Sequence, residues 1–217
     1  MARMKITPRQ FRESPGTEDW RVLGEGACAR FRTGSFAAGA RFAAALADLP
    51  ELADHAPDVD LRPDAVTVRL VTVTDTLYGL TEGDPARARA VSALARTLDL
   101  TAEPAALTAV QVTVDALSIP AVTPFWRALL GYDHRAGSPE DLIDPARRNA
   151  AFYFQPMDAP RPQRNRLHVD VWIPYDEADT RIKAALAAGG TLVTDTYAPS
   201  HWVLADPEGN EACVGTL

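Results

Sequence analysis

Four short stretches in the second half of the chain alternate apolar and polar side chains. This period of two constrains the fold more than any other feature. In residues 110–115, Val110, Val112 and Val114 point one way and Gln111, Thr113 and Asp115 the other. In residues 152–155, Phe152 and Phe154 oppose Tyr153 and Gln155. In 167–172, Leu167, Val169 and Val171 oppose His168, Asp170 and Trp172, and in 211–215, Ala212 and Val214 oppose Glu211, Cys213 and Gly215. Each strand can therefore bury one face against a helix. The opposite faces are polar but studded with Trp and Tyr, which suits either a half-solvated sheet or a cup around a small molecule. The order strand, helix, strand occurs twice, so the second half carries an internal echo.

The first half has a different organisation. Residues 20–23 and 28–32 flank a Gly24-Glu25-Gly26 turn and read as a hairpin. Ser35 is placed to cap a helix whose apolar positions are Phe36, Ala40, Phe42 or Ala43, Leu46 and Leu49, closed by Pro50. Residues 66–73 form a β-branched strand. Asp84-Pro85 starts a second helix, with Asp84 as its cap and a face of Val91, Leu94, Ala95 and Leu98. Arg87, Arg89 and Arg96 read as a solvated face of that helix. The small, Pro-containing stretch 100–108 separates the halves, so the domains are expected at 1–103 and 104–217. The expected class is α+β: a small antiparallel sheet with helices on one face, followed by paired βαβββ modules forming a cupped sheet.

Composition narrows the function. The 217 residues carry a formal net charge of -7, the wrong sign for a nucleic-acid binder. No apolar run approaches the ~20 residues of a membrane span, and the polar, basic first fifteen residues lack the apolar core of a secretory signal. Two distant cysteines, Cys28 and Cys213, make no disulfide framework. A cytoplasmic protein with a small-molecule partner is expected, with no nucleic acid and no membrane. Trp20, Trp126, Phe152 and Phe154 read as core, and Asp206-Pro207-Glu208-Gly209 as a tight turn.

His55 lies among carboxylates in Asp54-His55-Ala56-Pro57-Asp58, a setting for proton transfer or for a solvated loop histidine. Together with Trp20-Arg21-Val22, Arg30-Phe31-Arg32, Ser35-Phe36 and Gly79-Leu80-Thr81-Glu82-Gly83-Asp84, it makes residues 6–98 resemble a pterin-4a-carbinolamine dehydratase domain. The resemblance implies three histidines that remove water from a 4a-hydroxytetrahydropterin. Carried over, the first is His55, the second falls on Ala56 and the third on Asp75. Ala56 can neither bond nor transfer a proton, so weak or absent dehydration is expected, with Asp75 as a substitute acid or base.

His168, on the polar face of its strand, is open to proton transfer, metal binding or a structural role. With Phe125-Trp126-Arg127-Ala128-Leu129-Leu130-Gly131, Asn165-Arg166-Leu167-His168-Val169-Asp170 and Asp206-Pro207-Glu208-Gly209-Asn210-Glu211-Ala212-Cys213, it makes residues 109–217 resemble a glyoxalase-like domain of the vicinal-oxygen-chelate superfamily. The resemblance implies two βαβββ modules around a cup, with metal ligands on four strands in the metal-dependent members. Those positions are Gln111, Gln155, His168 and Cys213 here, a set too poor in carboxylate and imidazole for a catalytic metal. No metal and no cofactor are expected. The expected pocket lining is Gln111, Thr113, Tyr153, Gln155, Asp170, Trp172 and Cys213, with His168 as an acid or base, either alone or paired with Asp170 or Cys213. The leading expectation is metal-independent lyase or isomerase chemistry on a small polar or heterocyclic metabolite. The alternatives are a protein that binds or sequesters a natural product and a residual 4a-hydroxytetrahydropterin dehydratase. Both resemblances imply a homodimer.

Overall fold

A computed structural model describes residues 4–24, 26–160 and 167–216 of the protein. Glu25 of the first turn, the Asn165-Arg166 pair and part of the Pro-rich connector at 157–164 lie outside the described residues. The chain divides into two compact units, Met1–Ala109 and Val110–Leu217. No helix among the described residues is long and apolar enough to cross a membrane.

The first unit begins with β1 (Lys5–Ile6) and α1 (Pro8–Arg12) and continues with the hairpin β2 (Arg21–Leu23) and β3 (Gly26–Arg32). After α2 (Phe36–Leu46) come β4 (Asp58–Leu61), β5 (Ala65–Leu70), β6 (Thr72–Thr74), β7 (Leu77–Thr81), α3 (Asp84–Thr97) and β8 (Thr101–Ala102). The strands pair antiparallel in the order β2-β3-β5-β4, with β8 added beside β3, and in a second sheet β1-β7-β6. Alternation sets the core face. Ala27, Ala29 and Phe31 lie opposite Leu70, Val68 and Val66, and all six are buried with Phe42, Leu46, Val91 and Ala95. On the other face Arg69 pairs with Asp58 at 2.9 Å. Glu103 belongs to this unit: its N–H donates to Arg30 O at 2.8 Å and its carboxylate meets Arg30 and Arg32.

Four expectations need correction here. The run 66–73 is not one strand: it breaks at Val71, and Thr72–Thr74 pairs with β7 instead. Ser35 does cap α2, accepting from Ala38 N at 3.2 Å, but Phe36 and Ala40 are exposed. The buried stripe is Gly39, Phe42 and Leu46, because Gly39 lies close enough to Leu61 and Val66 that an added Cβ would come within 2.5 Å of Leu61 Cδ1. Leu98 is also exposed, lying past the end of α3, where Leu100 N already turns back to Ala95 O. Asp84 is the first residue of α3 rather than its cap, and its side chain is turned inward.

The second unit repeats one plan. β9 (Gln111–Ala116), α4 (Ile119–Leu130), β10 (Asp133–Arg135), β11 (Ser138–Ile143) and β12 (Ala151–Pro156) form the first module. β13 (Val169–Trp172), α5 (Ala178–Ala187), β14 (Thr191–Thr194), β15 (His201–Ala205) and β16 (Glu211–Gly215) form the second. The sheet orders are β10-β11-β12-β9 and β14-β15-β16-β13, and in each the helix-crossed pair, β9 with β12 and β13 with β16, is parallel. The fold is α+β with paired βαβββ modules. Val114, Phe152, Phe154, Ala212 and Val214 turn their face into one core shared with Phe125, Trp126 and Leu129 of α4 and Ala185 of α5. Gly131 ends α4 in the left-handed conformation, at φ 69°.

The turn 206–209 joins the two modules. Asp206 accepts from Glu208 N and Asn210 N at 2.9 Å each and from the Trp126 indole. Glu208 accepts from Leu117 N and Ser118 N, both at 2.7 Å, at the start of α4, where Ser118 makes no side-chain cap of its own. At the other end of α4, Arg181 of α5 donates to Leu129 O at 2.9 Å.

Candidate functional site

In the first unit, His55 follows the single turn of 3-10 helix at Pro50–Leu52, held by its N–H to Leu52 O at 3.1 Å. Its Nε2 lies 3.6 Å from Asp84 Oδ1, with the imidazole 8% exposed and the carboxylate fully buried. Asp84 is held on three sides. Its Oδ2 accepts from Thr81 N at 2.6 Å and Thr81 Oγ1 at 3.0 Å, and its Oδ1 accepts from Arg87 at 3.1 Å. Arg87 also donates to Glu51 O at 3.2 Å and Asp54 Oδ1 at 3.3 Å. The solvated arginine face is therefore wrong at Arg87, which is buried; Arg89 and Arg96 are exposed as expected. Gly83 makes room for the guanidinium, since an added Cβ would lie 2.5 Å from its Nη1. Sequence reasoning missed Asp84 as the partner of His55 and Arg87 as the partner of Asp84. Their spacing of three on a helix was the available signal.

The other two positions of the histidine set lie apart from this network. Ala56 is exposed, and Asp75 is exposed in the two-residue turn between Thr74 and Leu77. The chemistry left around His55 is one imidazole facing one buried carboxylate.

In the second unit the open face of the second module gathers three functional groups. Parallel pairing of β13 and β16 puts Asp170 beside Cys213. His168, just ahead of β13, brings its Nδ1 to 3.9 Å from Cys213 Sγ. One donor atom from each of His168, Asp170 and Cys213 lies within 4.8 Å of the others. His168 and Asp170 are exposed, and Cys213 is the buried member of the group at 8% exposure. Two residue pairs further along, on the same face, Trp172 pairs with Gly215, and Gly215 with His201 of β15. The indole lies across Gly215: a Cβ there would come within 2.9 Å of Trp172 Cε3. Tyr197 stacks on His201 with ring centroids 4.8 Å apart. A reactive corner thus adjoins an aromatic shelf.

On the first module, Gln111, Thr113 and Gln155 are exposed on the face opposite the core, and Tyr153 is partly buried. Gln155 Nε2 donates to Asp115 Oδ1 at 2.6 Å. Both cysteines, Cys28 and Cys213, keep their thiols rather than forming a disulfide.

Two family profiles match the chain. Residues 111–215 match the glyoxalase-like domain profile, and residues 4–94 match the pterin 4 alpha carbinolamine dehydratase profile. The chain carries a dehydratase-like domain followed by a glyoxalase-like domain. Among solved structures it is similar to a glyoxalase/bleomycin resistance protein/dioxygenase family enzyme from Burkholderia phytofirmans PsJN, at 18% identity and TM-score 0.38, over 49% of this chain and 95% of that one. It is also similar to a glyoxalase-related enzyme from Fulvimarina pelagi, at 18% identity and TM-score 0.39, over 51% of this chain and 89% of that one. A third is the fosfomycin resistance protein FosX from Listeria monocytogenes, complexed with Mn(II) and sulfate, at 11% identity and TM-score 0.41, over 50% of this chain and 89% of that one. No curated protein matches the chain.

The four positions at which the superfamily resemblance implies a metal do not suit a hard cation. Gln111 and Gln155 are neutral amides, and that of Gln155 is engaged with Asp115. Cys213 offers sulfur where a hard ion needs oxygen. The remaining candidate ligand set is His168, Asp170 and Cys213. It supplies three donors, and no fourth His, Cys, Asp or Glu joins them among the described residues.

Proposed function

We propose that the glyoxalase-like domain binds a small polar or heterocyclic molecule on the open face of β13 and β16 and moves a proton on it without a metal, in a lyase or isomerase step. The meeting of His168, Asp170 and Cys213 on that face is the observation that carries this reading. His168 is the acid or base, Asp170 faces the imidazole, and Cys213 supplies a second transferable proton. Gln111, Thr113, Tyr153 and Gln155 are the polar lining contributed by the first module. The dehydratase-like domain keeps only His55 of its histidine set, so its main role is that of a scaffold. The protein works in the cytoplasm as a homodimer, in line with both resemblances.

The test is a panel of polar and heterocyclic metabolites incubated with the full chain in deuterated water after chelator treatment. Solvent deuterium in a recovered compound, lost in His168→Ala, supports the reading. Exchange that stops on chelation overturns it. A second reading, binding without turnover, is favoured by the indole of Trp172 lying across Gly215. It predicts a compound that stabilises the protein and is recovered unlabelled.

A further inference from the structure

Resting on that reading, we infer that Cys213 is a nucleophile and that the face takes flat, conjugated carbonyl compounds, adding its sulfur reversibly to their β-carbon. Three observations converge. The thiol sulfur lies 3.9 Å from His168 Nδ1, which takes its proton in the tautomer carrying hydrogen on Nε2, with the Asp170 carboxylate completing the group. Cys213 is 8% exposed beside two exposed side chains, so the thiol is more sheltered than the two groups that accompany it. The aromatic shelf lies next along the same strand, since Gly215 follows Cys213 on the same face and carries the Trp172 indole instead of a side chain. Two residues of strand separate sulfur and shelf by ~6–7 Å, the reach of an aryl-substituted enone whose ring stacks on the indole.

The step balances without an added reagent. His168 takes the thiol proton, and the sulfur forms a bond to the β-carbon. The carbon–carbon π pair moves into an enolate, and the imidazolium returns its proton to the α-carbon, leaving a saturated thioether. Nothing is oxidised or reduced overall. If the enolate expels the thiolate before it is protonated, after rotation about the former double bond, the opposite geometric isomer leaves. The isomerase chemistry proposed for the domain then becomes a cis–trans isomerisation by an internal thiol. Soft sulfur prefers the conjugated carbon, which matches a site poor in donors for hard cations.

The test uses the full chain and (E)-4-phenylbut-3-en-2-one, read by intact mass and peptide mapping. A single adduct on Cys213 is expected, with Cys28 unmodified. His168→Ala should slow adduct formation about 10²-fold. Trp172→Ala should raise the half-saturating concentration about 10-fold, as loss of one aromatic stack worth ~1.4 kcal/mol would. Both replaced side chains are exposed, so neither change opens a cavity. An equal rate in His168→Ala, equal labelling of Cys28, or a rate that is lost on chelation overturns the inference. The saturated 4-phenylbutan-2-one separates the two readings. Thermal stabilisation by it, lost in Trp172→Ala, with no enone adduct would sink the thiol step and leave the binding face standing. If neither compound engages the protein, the thiol step and the conjugated-carbonyl ligand class both fall, and the proton-transfer reading is decided by its own metabolite panel.

Discussion

The indole N–H of Trp126 donates to the carboxylate of Asp206 at 2.9 Å, linking the helix of one module to the last turn of the other through a bond with both residues at 2% exposure. Asp206 also gathers Glu208 N, Asn210 N and the Asn210 amide. Asp206→Ala leaves these donors without their acceptor, and a buried unsatisfied donor costs about 1–3 kcal/mol. A loss of about 2–4 kcal/mol is expected for the second unit. Urea unfolding followed by tryptophan fluorescence checks it; a change below the error of the fit would show that the turn holds itself.

Asp144 gives the second unit an acid-sensitive element. Burial pushes its carboxyl up, but the N–H groups of Arg148, Ala146 and Asn149 and the Asn149 amide outweigh burial and hold it below the ordinary carboxylate range. A depressed value in the folded state means the contribution is whole above the unfolded value near 3.9 and fades as pH falls through the folded one. Asp144→Asn should therefore flatten the stability profile below about pH 4 and leave its slope near neutrality unchanged. Thermal unfolding midpoints across that range are the measurement.

Arg87 and Asp84 are an ion pair with little access to water, the side chains being 10% and 0% exposed. Arg87→Met removes one partner and leaves the other buried, which costs about 3–5 kcal/mol in such pairs. Adding Asp84→Asn to it should recover part of the loss, so the two changes will not be additive. A double-mutant cycle from denaturant unfolding decides this; strict additivity would mean that the pair is not coupled.

Gly215→Ala places a Cβ within 2.9 Å of the Trp172 ring. The indole is 59% exposed and can swing away, so stability should shift by less than about 1 kcal/mol. Binding of 4-phenylbutan-2-one should nevertheless weaken, because the shelf has moved. Isothermal titration of the two proteins compares them directly, and unchanged affinity would remove the indole from the site.

Dehydration of a 4a-hydroxypterin by the unaltered chain should be slow, since Ala56 and Asp75 stand where the family resemblance implies histidines. Each acid–base group contributes about 10²–10⁴-fold. Ala56→His combined with Asp75→His should raise the rate by at least about 10²-fold. Stopped-flow absorbance of the dehydrated pterin reads this out, and a fast unaltered chain would contradict it.

The paired modules were legible because β9 and β12 bury one face, Val114 in the first and Phe152 with Phe154 in the second, whereas Val110 and Leu167, at the outer ends of their alternating runs, are exposed. Phe36 and Leu98 were misplaced because helical spacing gives a stripe but not where the neighbouring sheet stops. Arg87 was read as solvated because its partners Glu51 and Asp54 lie more than thirty residues away in sequence and only folding brings them near. The sequence offers Asp170 or Cys213 as a partner for His168. The meeting of Cys213 with His168 depends on the parallel register of β13 with β16, which local spacing does not carry.

The two ends of α4 are each held by a charge from the opposite module, an anion at the amide end from Glu208 and a cation at the carbonyl end from Arg181. The match follows the polarity of the helix. The two repeats are therefore not interchangeable parts. A recombinant that spliced the first module onto the second module of a cousin would inherit a working pair only if that cousin also carried an acidic residue and a basic one at these two places. Inheritance of the repeats as a block is the simplest outcome.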